Sequence, residues 1–343
     1  MNRLSVAAVM LAAVSVSASA MPAAAQSAAE KFFAGKTVTM IVGYPPGGGF
    51  DLAARMVTQH IGRFIPGNPT VITQNMPGAS SIKAANYVYN VAAKDGSVIY
   101  ANDSTHPMSQ RLKKTGKFEP HKFYWLGRLT ADDSVGLSWH TSGVKTVGDA
   151  MKKEIVMAAG GKSGPAAMIP SALNNLVGTK FKVVLGYKGS APMVAAMEKG
   201  EAGGTATYGY TALKTLKPHW LKNNQVNVLF VIGFKRNPEI PHVPTLPELG
   251  NTDLDKKVLS LLTSRSAIGR SYVAPPGIAA DRGAVLRKAF DAMINDAGFR
   301  ADMAKRKFPV DPATGEEILK VVEDVMTASN EVAERALWAV TRR

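Results

Sequence analysis

TVTMIVGYPPGGGFDLAARMV, residues 37–57, starts as a short β-rich run, passes through two prolines and three glycines, and ends with helical spacing. Three consecutive glycines cost conformational entropy, and so bare a main chain serves a sharp turn or a close approach. Over 50–64 the residues Ala53, Met56, Val57, Ile61 and Phe64 recur at intervals of three and four, which predicts an amphipathic helix. A strand running into a helix through such a loop exposes unpaired N–H groups at the positive end of the helix dipole, a setting that favours an anion. A plain strand–helix turn is the alternative reading.

Working outward, TVITQN (70–75) and SVIYAN (97–102) are further strand candidates, and ASSIKAANYVYNVA (79–92) supplies a crossover helix. A second series follows LTADDSVGLSWHTSGV: strands at 154–160, 182–187, 205–208 and 226–233, with helices around 165–177, 190–199 and 209–216. This alternation predicts two α/β units with mainly parallel sheets. RNPEIPHVPTLPELG (236–250) holds four prolines and is expected to be irregular. The tail from Asp281 is helical in pattern and ends in one long helix near 314–338. Ligands of open α/β sheets sit beyond the carboxyl ends of the strands, where the triple-glycine loop falls.

The chain has 343 residues, a formal net charge of +15 and no cysteine, which excludes disulfides, thiolate chemistry and a lipid anchor on cysteine. Its first 25 residues, with Arg3, a short Ala/Ser-rich apolar run and small residues in an A-x-A pattern, read as a secretory signal cleaved after Ala25 or Ala20. A periplasmic protein of two domains is expected. Basic residues occur as pairs or a triplet, such as Lys113-Lys114 and Lys305-Arg306-Lys307, without a longer block or interleaved aromatics. That distribution argues for an anion-attracting or merely solubilising surface and against nucleic acid.

Motifs for chemistry are missing. Counting from Gly47, the third glycine of G-x-G-x-x-G would fall on Leu52, and no acid lies between Asp51 and Asp95 to bind a ribose. GGKSG (160–164) is not a phosphate loop, since its leading glycine would be Val156, but it can form a second anion-cradling turn. No G-x-S-x-G is present, and the six histidines show no ligand spacing. Asp132-Asp133 with His140 is a weak metal candidate that an interlobe linker explains equally. No metal or cofactor is expected.

Six segments in order then resemble one family. TVTMIVGYPPGGGFDLAARMV, VITQNMPGASSIKAANYV, AAKDGSVIYAND, GYKGSAPMVAAMEKGEAG, PEIPHVPTLPELG and YVAPPGIAADRGAVLRKAF are similar to the conserved stretches of the Bug-type solute receptors of tripartite tricarboxylate transporters. The resemblance covers about 36–310. It implies an α/β chain of the type II periplasmic-binding-protein fold, two α/β lobes with a ligand cleft between them. Lobe 1 is expected over 26–137 plus 237–343 and lobe 2 over 138–236.

It further implies a non-enzymatic receptor that captures a small organic carboxylate, a di- or tricarboxylate, and hands it to integral-membrane transporter subunits; a monomer is expected. The loop from Tyr44 through Pro46, Gly47, Gly48, Gly49 and Phe50 to Asp51 is implied to hold one carboxylate, partly through water. Asp103 and Ser104 are implied to face the cleft, with Gly161, Ser163, Tyr187, Lys188 and Gly189 contributed by the second lobe. Tyr208, at a strand end, is added from geometry. The sequence departs from the family pattern at Phe50, where a small polar residue is usual, at Ser97-Val98-Ile99, at Gly186, and in lacking a histidine after the 160–164 turn. An aromatic acid as ligand, a receptor that signals to a sensor, and a hydrolase using Ser163 or Ser104 are the alternatives.

Overall fold

The computed structural model describes residues 28–47, 49–162, 164–187 and 189–342; the leader predicted over 1–25 lies outside them. After a short helix α1 (Ala28–Phe33), the β-rich run forms β1 (Thr37–Val42) and the helical spacing forms α2 (Gly49–Ile61). The chain continues through β2 (Thr70–Asn75), α3 (Ile82–Asn90), β3 (Val98–Ala101), α4 (His106–Lys113) and β4 (Tyr124–Thr130). Next come β5 (Ser134–Trp139), α5 (Val147–Lys152), β6 (Ile155–Ala158), α6 (Pro165–Val177), β7 (Phe181–Val184), α7 (Ser190–Glu198), β8 (Gly204–Gly209), α8 (Tyr210–Leu216), α9 (Pro218–Lys222) and β9 (Val226–Val231). The return comprises α10 (Asp253–Ile268), β10 (Arg270–Ala274), α11 (Ala280–Asn295), α12 (Ala297–Lys305), β11 (Ala313–Thr314), α13 (Gly315–Met326) and α14 (Asn330–Thr341).

Two sheets result, one per α/β lobe. The first runs β2-β1-β3-β10-β4-β11 and the second β7-β6-β8-β5-β9. In each, the first three strands are parallel, and an antiparallel pair follows that carries the chain between lobes. The expectation of mainly parallel sheets therefore needs correction: β4, β5 and β10 run against their neighbours. They were missed because β5 is buried at every position and β4 and β10 at nearly every one. Strands covered on both faces show no alternation to read.

Burial assigns successive strand residues to opposite faces. Met40, Ile99 and Tyr272 pack under α2 and α11, while their neighbours Ile41, Tyr100 and Val273 pack with Trp125 and Ile318 on the other side. In the second lobe Tyr208 and Trp220 share a core with Val135 and Met193, while Ala206 and Phe230 face α6. That α6 core extends through α10 to Val325 of α13 and Ala336 of α14, so an apolar layer is continuous from one lobe to the other.

The long helix expected near 314–338 is two helices. Thr314 and Glu317 form a capping box on α13, and after a break at 327–329 the Ser329 hydroxyl accepts the Val332 N–H at 3.3 Å to start α14. The proline-rich run is irregular apart from a 3-10 turn at Pro247–Leu249. Among the described residues no helix is long and apolar enough to cross a membrane.

Candidate functional site

The chain passes between the two sheets through 131–133, from β4 to β5, and again through 232–269, from β9 by way of α10 to β10, and the end of α10 lies against 131–133. These two segments are bonded to each other. The Asp132 N–H donates to Ser266 O at 3.0 Å, and the Ser266 hydroxyl returns a bond to Asp132 O at 2.7 Å. Arg265 donates to the Asp132 carboxylate at 2.6 Å, and Ser134 donates to its other oxygen. Burial alone would raise the Asp132 carboxyl; the Arg265 charge and the Ser134 bonds outweigh it and hold the group below the usual carboxylate range. Asp133 accepts from the Thr211 N–H at 2.6 Å and so caps the start of α8. Gly269, with φ +52°, lies between the segments; a Cβ there would come within 2.9 Å of Ala131 Cα. Both acids of the weak metal candidate are thus spent on the hinge.

Beside this hinge lies a cavity of about 550 Å³ between the lobes. Phe50, Ser104 and Thr130 line it from the first lobe, and Ser190, Thr207 and Gly209 from the second. Among the described residues Arg265, Arg270, Arg306 and Lys307 also border it, against the acids Asp132 and Asp133. Arg306 is paired with Asp302 at 3.1 Å. A cavity of similar size, about 560 Å³, lies between α10 and α13, away from the strand ends and lined mainly by apolar residues.

Of the described residues of the triple-glycine loop, only Phe50 lines the interlobe cavity. Tyr44, Pro46, Gly47 and Gly49 border a separate open hollow of about 370 Å³ that shares Phe50 with it, and the loop is braced from within. Oδ2 of Asp51 accepts the Gly47 N–H and Arg55 Nε, each at 2.9 Å, and Oδ1 accepts Asn75 Nδ2 at 2.8 Å. Asn75 also donates to Tyr44 O at 2.9 Å. The Asp51 side chain is 1% exposed. Burial would raise its carboxyl, yet the bonds from Arg55, Asn75 and Gly47 bring it down to about 2. Asp51 is therefore a strut of the loop, turned away from the cavity. Gly47 takes φ +83°, which a side chain resists.

Tyr44 stacks on Phe50 with ring centroids 4.8 Å apart and donates its phenol to Asp103. Burial and the Asp103 charge push that phenol up, so it stays a donor. The other Asp103 oxygen accepts the Thr105 N–H at 2.7 Å and its hydroxyl at 2.6 Å. Asp103 is thus fully occupied under the loop, while its neighbour Ser104 reaches the cavity wall.

In the second lobe the turns after β6 and β7 lie side by side: Gly186 N–H donates to Gly160 O at 2.9 Å and Tyr187 N–H to Ala159 O at 3.2 Å. Gly161 and Gly189 are exposed there, and the Gly189 amide bonds to Tyr187 O at 3.0 Å. Tyr187 packs against the lobe core. Gly48, Ser163 and Lys188 lie outside the described residues. Tyr208 is buried in the lobe core, and it is Thr207 and Gly209 that line the cavity. The choice of Tyr208 was off by one position, which in a strand reverses the face.

The sequence reading missed Arg265 and Arg270. Arg270 begins β10 and lies over the Phe50 ring at 4.8 Å, with Phe308 at 5.9 Å. Arg265 Nε and Nη1 and Arg270 Nη1 are buried without hydrogen-bond partners among the described residues. Local sequence carries little signal for either, because Arg265 reaches the cleft from the last turn of α10 and Arg270 from the start of the antiparallel strand β10.

Two α/β lobes of matching strand order, joined by paired crossovers beside a cleft, constitute the type II periplasmic-binding-protein fold. Among solved structures, a TctC solute-binding protein from Polaromonas, without ligand, matches at TM-score 0.65 and 20% identity, over 84% of this chain and 95% of its own. An R. palustris protein solved with adipate matches at TM-score 0.60 and 20% identity, over 88% and 97%. The periplasmic binding protein BugD matches at TM-score 0.59 and 20% identity, over 87% and 96%. TctC and Bug proteins are the group the sequence motifs resemble. No protein-family model matches the chain, and no curated protein matches it.

Proposed function

We propose that this chain is an exported, periplasmic receptor that captures a small organic carboxylate and passes it to a membrane transporter. The observation that carries this reading is the charge of the interlobe cavity. Its two acids are consumed by Arg265 and by the start of α8, which leaves a cationic wall beside the glycine loop. A cleft of one sign with low-dielectric walls concentrates ligands of the opposite sign. The adipate held by a neighbour of the same fold supports the same class of ligand.

A second reading within the class, an aromatic acid, is favoured by Phe50 and Phe308 in the cavity wall. Ser104, also in that wall, has no histidine hydrogen-bonded to it among the described residues, which supports holding over hydrolysis. The test is thermal-shift fluorimetry with succinate, adipate, citrate, benzoate, glucose and putrescine. An acid at a hundred times its Kd adds about 2.7 kcal/mol and a clear rise in melting temperature. Stabilisation by glucose or putrescine alone would defeat the proposal. Recovery of the bound acid chemically unchanged separates a receptor from a hydrolase.

A further inference from the structure

Of the three arginines bordering the cavity, two already hold carboxylates: Arg265 with Asp132, and Arg306 with Asp302. Arg270 makes no ion pair among the described residues, and its Nη1 is buried without a partner. What holds it is aromatic. Its guanidinium carbon stands 4.8 Å from the centroid of Phe50 and 5.9 Å from that of Phe308. Phe50 is itself stacked on Tyr44, whose phenol is anchored to buried Asp103. Nη2 lies 3.1 Å from where a Cβ on Gly49 would stand, so the group sits over the first turn of α2.

Rings engage a guanidinium through its face and leave the in-plane N–H groups free to donate; of the Arg270 nitrogens only Nη1 is fully enclosed, which leaves Nε and Nη2 to offer a fork. The ring contact also strips water from one side of the ion. A cation that is positioned, partly dehydrated and without an acid is matched by an incoming group with two coplanar oxygens. We propose that Arg270 makes a direct, two-pronged ion pair with a carboxylate of the bound acid, and that Phe50 is the platform orienting it. The inference rests on the carboxylate reading and deepens it: the anion is gripped by a side chain of the first lobe rather than by loop amides and water alone. Phe50, the departure from the family pattern, and Arg270 then act as one unit.

Isothermal titration of the full mature chain with succinate, adipate, citrate, benzoate and inorganic phosphate tests this in the wild type, R270Q, R270K and the charge-matched surface control K320Q. For the best-bound acid, R270Q should raise Kd about 30-fold or more, since truncating one partner of a buried charge pair is costly. R270K should fall between, about 5-fold weaker, because an ammonium keeps the charge and loses the fork. K320Q should stay within about twofold, as expected for a screened, distant charge.

R270Q that melts like the wild type and binds within about threefold of it would overturn the role of Arg270 and leave the receptor reading standing. Should R270Q fail to fold, R270K decides: wild-type affinity there overturns the two-pronged pair. Phosphate binding in preference to every carboxylate also overturns it. A wild type that binds none of these anions defeats the carboxylate reading, and the inference with it.

Discussion

Replacing Asp51 with asparagine tests whether the glycine loop is held from within. Its two oxygens receive three donors, from Gly47, Arg55 and Asn75. An amide offers one oxygen and one NH2, so in either orientation a donor faces a donor. Turning Asn75 around to compensate would forfeit its bonds to Tyr44 O and Arg55. Hydrogen bonds to a charged group contribute about 1.5–3 kcal/mol each when buried. The Arg55 side chain is 44% exposed, so its share is discounted for solvent screening. D51N should therefore lose about 2–3 kcal/mol, a drop in melting temperature of roughly 5 °C for a chain of this size.

The pH dependence supplies the sharper check. The folded carboxyl titrates at about 2 against an ordinary 3.8. A depressed carboxylate stabilises the fold fully above the unfolded value and loses that contribution as pH falls through the folded one. The gap in melting temperature between wild type and D51N, followed by circular dichroism, should hold steady from neutral pH to about 5 and close between about 4 and 2. Equal melting temperatures at neutral pH, or a gap that persists unchanged in acid, would refute the brace.

Ala79, Ser80 and Ser81 occupy left-handed backbone in succession, with φ of 48°, 51° and 69°. Ser80→Gly relieves one such residue at the cost of a more flexible unfolded chain; a net gain of about 0.5–1 kcal/mol is expected, read as a small rise in melting temperature. At the hinge, Gly269→Ala drives a methyl group into the backbone of 130–131 and strains a positive φ. A loss of about 2–3 kcal/mol, with weaker binding of any acid the wild type takes, is expected in calorimetry; a variant as stable as wild type would show that the crossovers part easily.

Much of the architecture is written in local pattern. The glycine loop was legible because prolines and glycines restrict or free the backbone in ways no other residues do. Helix α6 was legible over its whole length because Pro165 opens it and Gly178, in left-handed geometry, ends it. The antiparallel strands were not legible, since β4, β5 and β10 lie in sheet interiors where both faces are covered and no polar–apolar alternation is imposed. The cleft suffered for the same reason. Arg270 reaches it only because β10 pairs with β3 and β4 across a connection of well over a hundred residues, a relation no window of sequence contains. Tyr208 was misplaced by one residue of register.

Main-chain amides of the two glycine loops are what the sequence points to as the grip on an anion. A folded loop, however, spends its own N–H groups first, because buried unpaired donors are costly. Gly47 donates to Asp51, Gly186 and Tyr187 to the neighbouring turn, and Thr211 to Asp133. Among the described residues, the buried side-chain atoms left unpaired at the cavity are guanidinium nitrogens of Arg265 and Arg270. An arginine is the group best able to wait in that state, since it is weakly hydrated and an aromatic face compensates it in part. The small polar residue usual at position 50 would offer a ligand one hydroxyl or amide; Phe50 offers nothing polar and instead seats a cation beside the loop. On the proposed reading, that exchange favours a direct pair between Arg270 and the anion over a contact made through water. A steeper dependence of binding on salt and on the geometry of the carboxylate follows.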